Sequence, residues 1–181
     1  MPDSLPPHSP ALAALLARAS VPPRLLGQPG PDHGGLRPWR FVFVAGEART
    51  ALGEVLAASL ARREPATSPE QLALERAKPL RTPLVIVAGA ALRHGHRIPV
   101  WEQEASAAAG TMNLLNALDA QGFGAIWLSS AALGDPAVKT ALGFAETDAL
   151  LGWVYAGTPG ADRPRLPRPA VAAHRRWWAP G

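Results

Sequence analysis

Trp101–Ser130, WEQEASAAAGTMNLLNALDAQGFGAIWLSS, is the stretch on which the rest of the chain is arranged. Glu102 and Glu104 stand in its first turn, where carboxylates favour the positive end of a helix dipole. Ala105, Ala108, Met112 and Leu115 make one apolar face, and Leu114, Ala117 and Leu118 another. A helix apolar on most sides is expected to be buried on most sides, which makes this the central helix. Ala105, Ala107, Ala108, Ala109 and Gly110 would let a second helix come close, because contact side chains set interaxial distance. Gln121-Gly122 supplies the C-terminal glycine stop. A short strand, 123–127, then delivers Leu128, Ser129 and Ser130 to its end.

Outward from this core the pattern alternates between strands and helices. The β-rich segment 39–45 (WRFVFVA) predicts a strand, and 47–63 has helical periodicity. A break at 65–69 leads into a second helix over 69–78 with proline in its first turn. The nearly continuous apolar run 83–91 (PLVIVAGAA) predicts a central strand. Asp135 as N-cap with Pro136 behind it predicts a helix start within 134–143, and 150–157 (LLGWVYAG) a last strand. The pattern predicts an α+β or three-layer α/β fold, a mixed sheet covered by helices. Residues 1–10 are proline-rich and are read as a disordered lead segment; residues 11–181 are read as one domain.

At 181 residues the chain suits a single core. It has no apolar run of membrane-spanning length, and MPDSLPPHSP has no basic start followed by an apolar run, so a cytoplasmic protein with no membrane partner is expected. With no cysteine, disulfides, thiolate zinc sites, iron–sulfur clusters and cysteine nucleophiles are excluded, so any redox chemistry needs an organic cofactor. The net charge of +4 is concentrated late, where Arg163, Arg165, Arg168, Arg175 and Arg176 surround His174, Trp177 and Trp178. With no basic stripe elsewhere, this tail is read as solvated charge, and nucleic acid is not expected as a partner. His94 and His96 are two ligands short of a metal site, so none is expected.

WEQE, a small-residue helix and AQGFGAIWLSS, with PDHGGLRPWRFVFV near the start and GWVYAGTP near the end, resemble the nitroreductase family in its short single-domain branch. The likeness runs from about Ala11 to Pro159. It implies a nitroreductase-like fold, a homodimer, FMN at the subunit interfaces, and NAD(P)H as electron donor. Arg18, Ala19 and Ser20 resemble the family's R-x-S element for the FMN phosphate and ribityl chain, a role suited to a guanidinium fork and a hydroxyl. The sequence departs from the family here: Ala19 replaces a commonly basic residue, and only ten residues separate Ser20 from Pro31, where relatives carry an additional helix. His33, on a loop that reaches the neighbouring subunit's flavin in relatives, is the further FMN contact implied. Trp127, Leu128 and Ser129 match the strand end beside the flavin ring, where a backbone N–H, most simply that of Ser129, can face N5. Leu128 stands where relatives carry a polar or basic residue. Ala117, Leu118, Asp119, Ala120, Gln121 and Gly122 match a segment assigned to NAD(P), although a helix C-terminus suits a pyrophosphate poorly and no GxGxxG is present.

The reaction implied passes hydride from NAD(P)H through the flavin to a small-molecule acceptor such as a nitroaromatic or quinone, with no catalytic side chain required. Two other readings stay open at this point: a non-enzymatic FMN-binding dimer and a cofactor-free degenerate relative.

Overall fold

A computed structural model describes residues 32–160 and 176–178. Strand β1 spans Trp39–Ala45, helix α1 Ala48–Arg63, helix α2 Pro69–Ala77 and strand β2 Leu84–Ala90. The long helix α3, Val100–Ala120, leads into β3, Gly124–Leu128; the short α4, Pro136–Ala141, precedes β4, Ala149–Gly157. Each element predicted within the described residues is present, with ends displaced by a residue or two, while the lead segment 1–10 and the short helix that ALAALLARA, 11–19, predicts lie outside them.

Pro69 fills the first helical position of α2 as predicted, and Ser68 adds a reciprocal capping box with Gln71 that sequence reasoning missed. Asp135 caps α4 through a 2.9 Å bond from the Ala137 N–H. Gly122, at φ +82°, ends α3 while the Phe123 N–H returns to the Leu118 carbonyl at 3.0 Å.

The sheet order is β1-β2-β4-β3. All pairings among the described strands are antiparallel, so this sheet is not the mixed one the alternation of elements suggested. The helical excursion between β1 and β2 closes a pair in the manner of a long hairpin instead of crossing over to a parallel neighbour. Every residue of β2 is buried, as its uninterrupted apolar run requires. Its alternate side chains feed two cores. Val85 and Val87 pack with Leu52, Leu56, Val138, Phe144 and Trp153 on one face, and Ile86 with Leu84, Leu118 and Val154 on the other. Helices on both sides of the sheet give the expected three layers.

Helix α3 departs from its sequence reading. Gln103, Ser106, Ala107, Gly110, Thr111 and Leu118 are buried, but Trp101 is 67% and Met112 51% exposed. The sheet covers only one side of the helix. Trp101, Ala105, Ala108 and Met112 form an adjoining stripe at helical spacing that the other described residues leave largely uncovered.

Candidate active-site cleft

Between the segment that enters β2 and the end of β3 lies an open cleft of about 260 Å³. Its apolar surface comes from Leu56, Ile126, Leu128, Trp153 and Tyr155, and its polar rim includes Lys78, Arg81, Ser129 and Ser130. Trp153 and Tyr155 point to the same face because they are two apart on β4. Lys78 forms an ion pair with Glu75, whereas Arg81 has no carboxylate within ion-pair distance among the described residues, so the rim is net positive. Burial raises the Tyr155 hydroxyl above the ordinary phenol range, although the nearby Arg81 charge opposes that shift. The phenol is therefore a neutral donor at physiological pH.

Two indoles hold the strand end that forms one wall. Trp153 donates Nε1–H to Ser130 Oγ at 3.0 Å from one face of the sheet, and Trp127 donates to the Leu151 carbonyl at 3.1 Å on the other. Leu128 and Ser129 sit between these anchors. Gly152 makes the arrangement possible: a Cβ there would lie 2.2 Å from Trp127 Nε1 and 2.6 Å from the Leu128 carbonyl.

Of the residues singled out by sequence, Leu128 and Ser129 line the cleft. Trp127 faces away and packs on the α3 side of the sheet. His33 belongs to a separate site, where its Nδ1 lies 2.6 Å from Glu102 Oε2. Residues 117–122 form the C-terminus of α3; Leu118 is in the core, while Asp119, Ala120 and Gly122 are exposed. Arg18, Ala19 and Ser20, with the tail arginines 163, 165, 168 and 175, lie outside the described residues. His94 meets the Thr147 carbonyl and His96 accepts from the Ile98 N–H, so backbone groups engage both rings.

Sequence reasoning missed Lys78, Arg81, Trp153 and Tyr155. The alternation in GWVYAG already placed the two aromatics on one face, but nothing in the sequence linked that face to the residues before β2. It also missed Arg37, whose φ of +49° is unusual for a residue with a side chain. The Arg37 N–H donates to Asp32 Oδ1 at 3.0 Å, and its exposed side chain projects between buried Leu36 and Pro38. Asp32 Oδ2 is buried without a hydrogen-bond partner among the described residues.

Comparison with known proteins agrees with this architecture. The chain is 38% identical over 135 residues to the Escherichia coli (strain K12) protein named Putative NAD(P)H nitroreductase YdjA, a match covering 74% of this chain and 72% of that protein. In fold it is similar to a nitroreductase-like family protein from Bacillus cereus, with a TM-score of 0.68, 21% identity, and coverage of 82% of this chain and 77% of that one. A variant of the FMN- and NADPH-dependent nitroreductase NfnB from sphigopyxis sp. strain HMH aligns with a TM-score of 0.61 at 17% identity, over 96% of this chain and 91% of that one. The profile of the Nitroreductase family matches residues 3–158, and the chain belongs to that family.

Proposed function

We propose that this chain is an FMN-dependent oxidoreductase that uses NAD(P)H to reduce small-molecule acceptors of the nitroaromatic or quinone class. It works as a cytoplasmic homodimer, with residues 11–181 acting as one FMN-binding unit. The observation that carries this reading is the cleft. It offers an apolar lining beside a fixed strand end, with cationic charge on its rim. A flavin ring fits that donor set, having a planar apolar body and a polar pyrimidine edge. Relatives named for NAD(P)H or FMN support the same assignment.

Bound FMN would supply a two-electron carrier. The protein's part is placement and charge. Leu56, Ile126, Leu128 and Trp153 exclude water from one side of the ring. The Ser129 N–H, kept in place by the anchors on either side of it, is the proposed donor to the ring. Lys78 and Arg81 are the nearest cations to meet negative charge acquired on reduction, and are worth most where solvent is displaced. Arg18, Ala19 and Ser20 are the proposed phosphate and ribityl contacts. His33 and Trp127 complete the set, Trp127 by fixing the backbone beside Leu128. The exposed groups of segment 117–122 are the proposed contact for the nicotinamide nucleotide.

The homodimer accounts for two features of the single chain. The stripe Trp101, Ala105, Ala108 and Met112 needs a cover, and His33 does not line its own chain's cleft. In a dimer the loop carrying it can serve the other subunit's cleft.

The test is an absorption spectrum of the purified protein before and after anaerobic NADPH. A yellow protein that bleaches, then regains colour with a quinone, is expected. A yellow protein that never bleaches favours a binder, and a colourless one that FMN cannot reconstitute overturns the flavin assignment.

A further inference from the structure

We infer that Glu102 is a positioning residue for the cofactor, acting through His33. It accepts the imidazole Nδ1–H and thereby presents Nε2 outward as a hydrogen-bond acceptor for a flavin N–H or ribityl O–H. This rests on the proposal that His33 is an FMN contact.

The pair joins residues 69 apart in the chain, with Nδ1 2.6 Å from Oε2. A carboxylate only accepts, so the proton of this bond sits on Nδ1. In the neutral ring the lone pair is then on Nε2, since the partner of one imidazole nitrogen sets the state of the other. Nε2 has no hydrogen-bond partner among the described residues, and the His33 side chain is 67% exposed. A surface pair this open contributes little to stability. What it does fix is a rotamer and a tautomer.

The surroundings are built to hold that geometry. Gly34, Gly35 and Arg37 all have positive φ, at +73°, +70° and +49°. The two glycines take that conformation freely, whereas Arg37 persists in it only where neighbours hold it. Asp32 accepts the Arg37 N–H, and the Arg40 guanidinium donates to the carbonyls of Arg37 and Trp39, each at 2.8 Å. Gly34 lies so close to Ile98 that a Cβ would meet its side chain at 2.4 Å. Ile98 is in turn held through its carbonyl by buried Gln103, at 2.9 Å. The first turn of α3 thus grips both parts of the site: Glu102 takes the imidazole, and Gln103 takes the backbone on which the His33 turn rests.

Two measurements test this. The first is a nitrogen–proton correlation spectrum of the His33 imidazole in FMN-free protein, in mildly alkaline buffer. The Nδ1–H tautomer is expected in the parent; an Nε2–H tautomer overturns the proposal without any variant having to fold. The second is FMN titration of Glu102→Ala, Glu102→Gln, His33→Ala and the Glu102→Ala/His33→Ala pair. Outer-shell hydrogen bonds that orient a contacting histidine set the scale: Glu102→Ala should weaken binding about tenfold, and Glu102→Gln, whose amide oxygen can still accept Nδ1–H, by no more than about twofold. With His33 already alanine, removing Glu102 should cost nothing further. An equal loss in both backgrounds overturns the proposal while leaving the FMN reading intact. A parent chain that binds no FMN overturns the FMN reading and, with it, the role of Glu102.

Discussion

At the scale of single residues, Gly152 is where the strand end is most exposed to damage. Its φ of +152° and the 2.2 Å approach to the Trp127 indole leave no room for a side chain. Gly152→Ala should therefore push Trp127 off the Leu151 carbonyl and destabilise the fold by about 1–3 kcal/mol, the range for overpacking a filled core. Urea unfolding followed by tryptophan fluorescence measures this, and a midpoint equal to the parent's would show that the indole yields freely. Arg18 is a matter of charge and not of packing. If it meets the FMN phosphate, Arg18→Ala removes a charge-assisted bond worth about 1.5–3 kcal/mol and should weaken FMN roughly ten- to a hundredfold. Ala19→Arg should tighten binding by less, because an exposed charge is screened. Both effects should shrink as salt rises in an FMN titration. Unchanged affinity in Arg18→Ala at low salt would place the phosphate elsewhere.

At the scale of elements, α4 shows how a short helix is fixed by its cap. Asp135 takes the Ala137 N–H, and its other oxygen lies 2.7 Å from Arg62 Nη2. A hydrogen bond from the Ser59 hydroxyl, with Arg62 and Ala137 adding to it, lowers the carboxyl from 3.8 to about 2 despite the cost of burial. Because the folded-state value is the lower one, this contribution is complete above the unfolded pKa and fades as pH falls from about 4 through 2. It amounts to roughly 1–2 kcal/mol, the size of an N-cap. Asp135→Ala should thus lower stability at neutral pH and make little difference near pH 2, which urea midpoints at both pH values would decide. An equal difference at both would mean that packing and not charge is at work.

The elements were legible because their signals are local. Proline at the first turn, Asp135, Gly122 and the period-two run of β1 act on their own neighbours, and each lies where its chemistry demanded. Strand pairing was not legible. Nothing in WRFVFVA or PLVIVAGAA states that they run antiparallel across a helical excursion. The cleft escaped for the same reason: Lys78 and Arg81 are separated from Ser129 by the whole of β2, α3 and β3, and only the sheet order brings them together. Glu102 illustrates a third case. The sequence reading assigned it to the helix dipole, but the fold also uses it to hold His33.

At the scale of the whole molecule, the sequence predicts a long helix buried on most sides, and the described residues of one chain bury only one of them. The two statements agree if the remaining side is covered by a second copy, because Trp101, Ala105, Ala108 and Met112 follow one another at spacings of four, three and four residues. Such a stripe on each of two helices would bring like residues together across a twofold axis. A carboxylate placed there would face its own image in a dry contact, where unpaired charge is expensive. Met112→Glu should shift the protein from dimer to monomer at micromolar concentration by sedimentation velocity. If the flavin site draws His33 from the partner, bound FMN should fall in step with dimer content. Leu74, 62% exposed on α2, provides the control, since Leu74→Glu adds the same charge on a different element. A monomeric parent would exclude the dimer outright. A Met112→Glu protein that stays dimeric with full FMN would show that the subunits meet through another face, leaving the stripe on α3 without a cover.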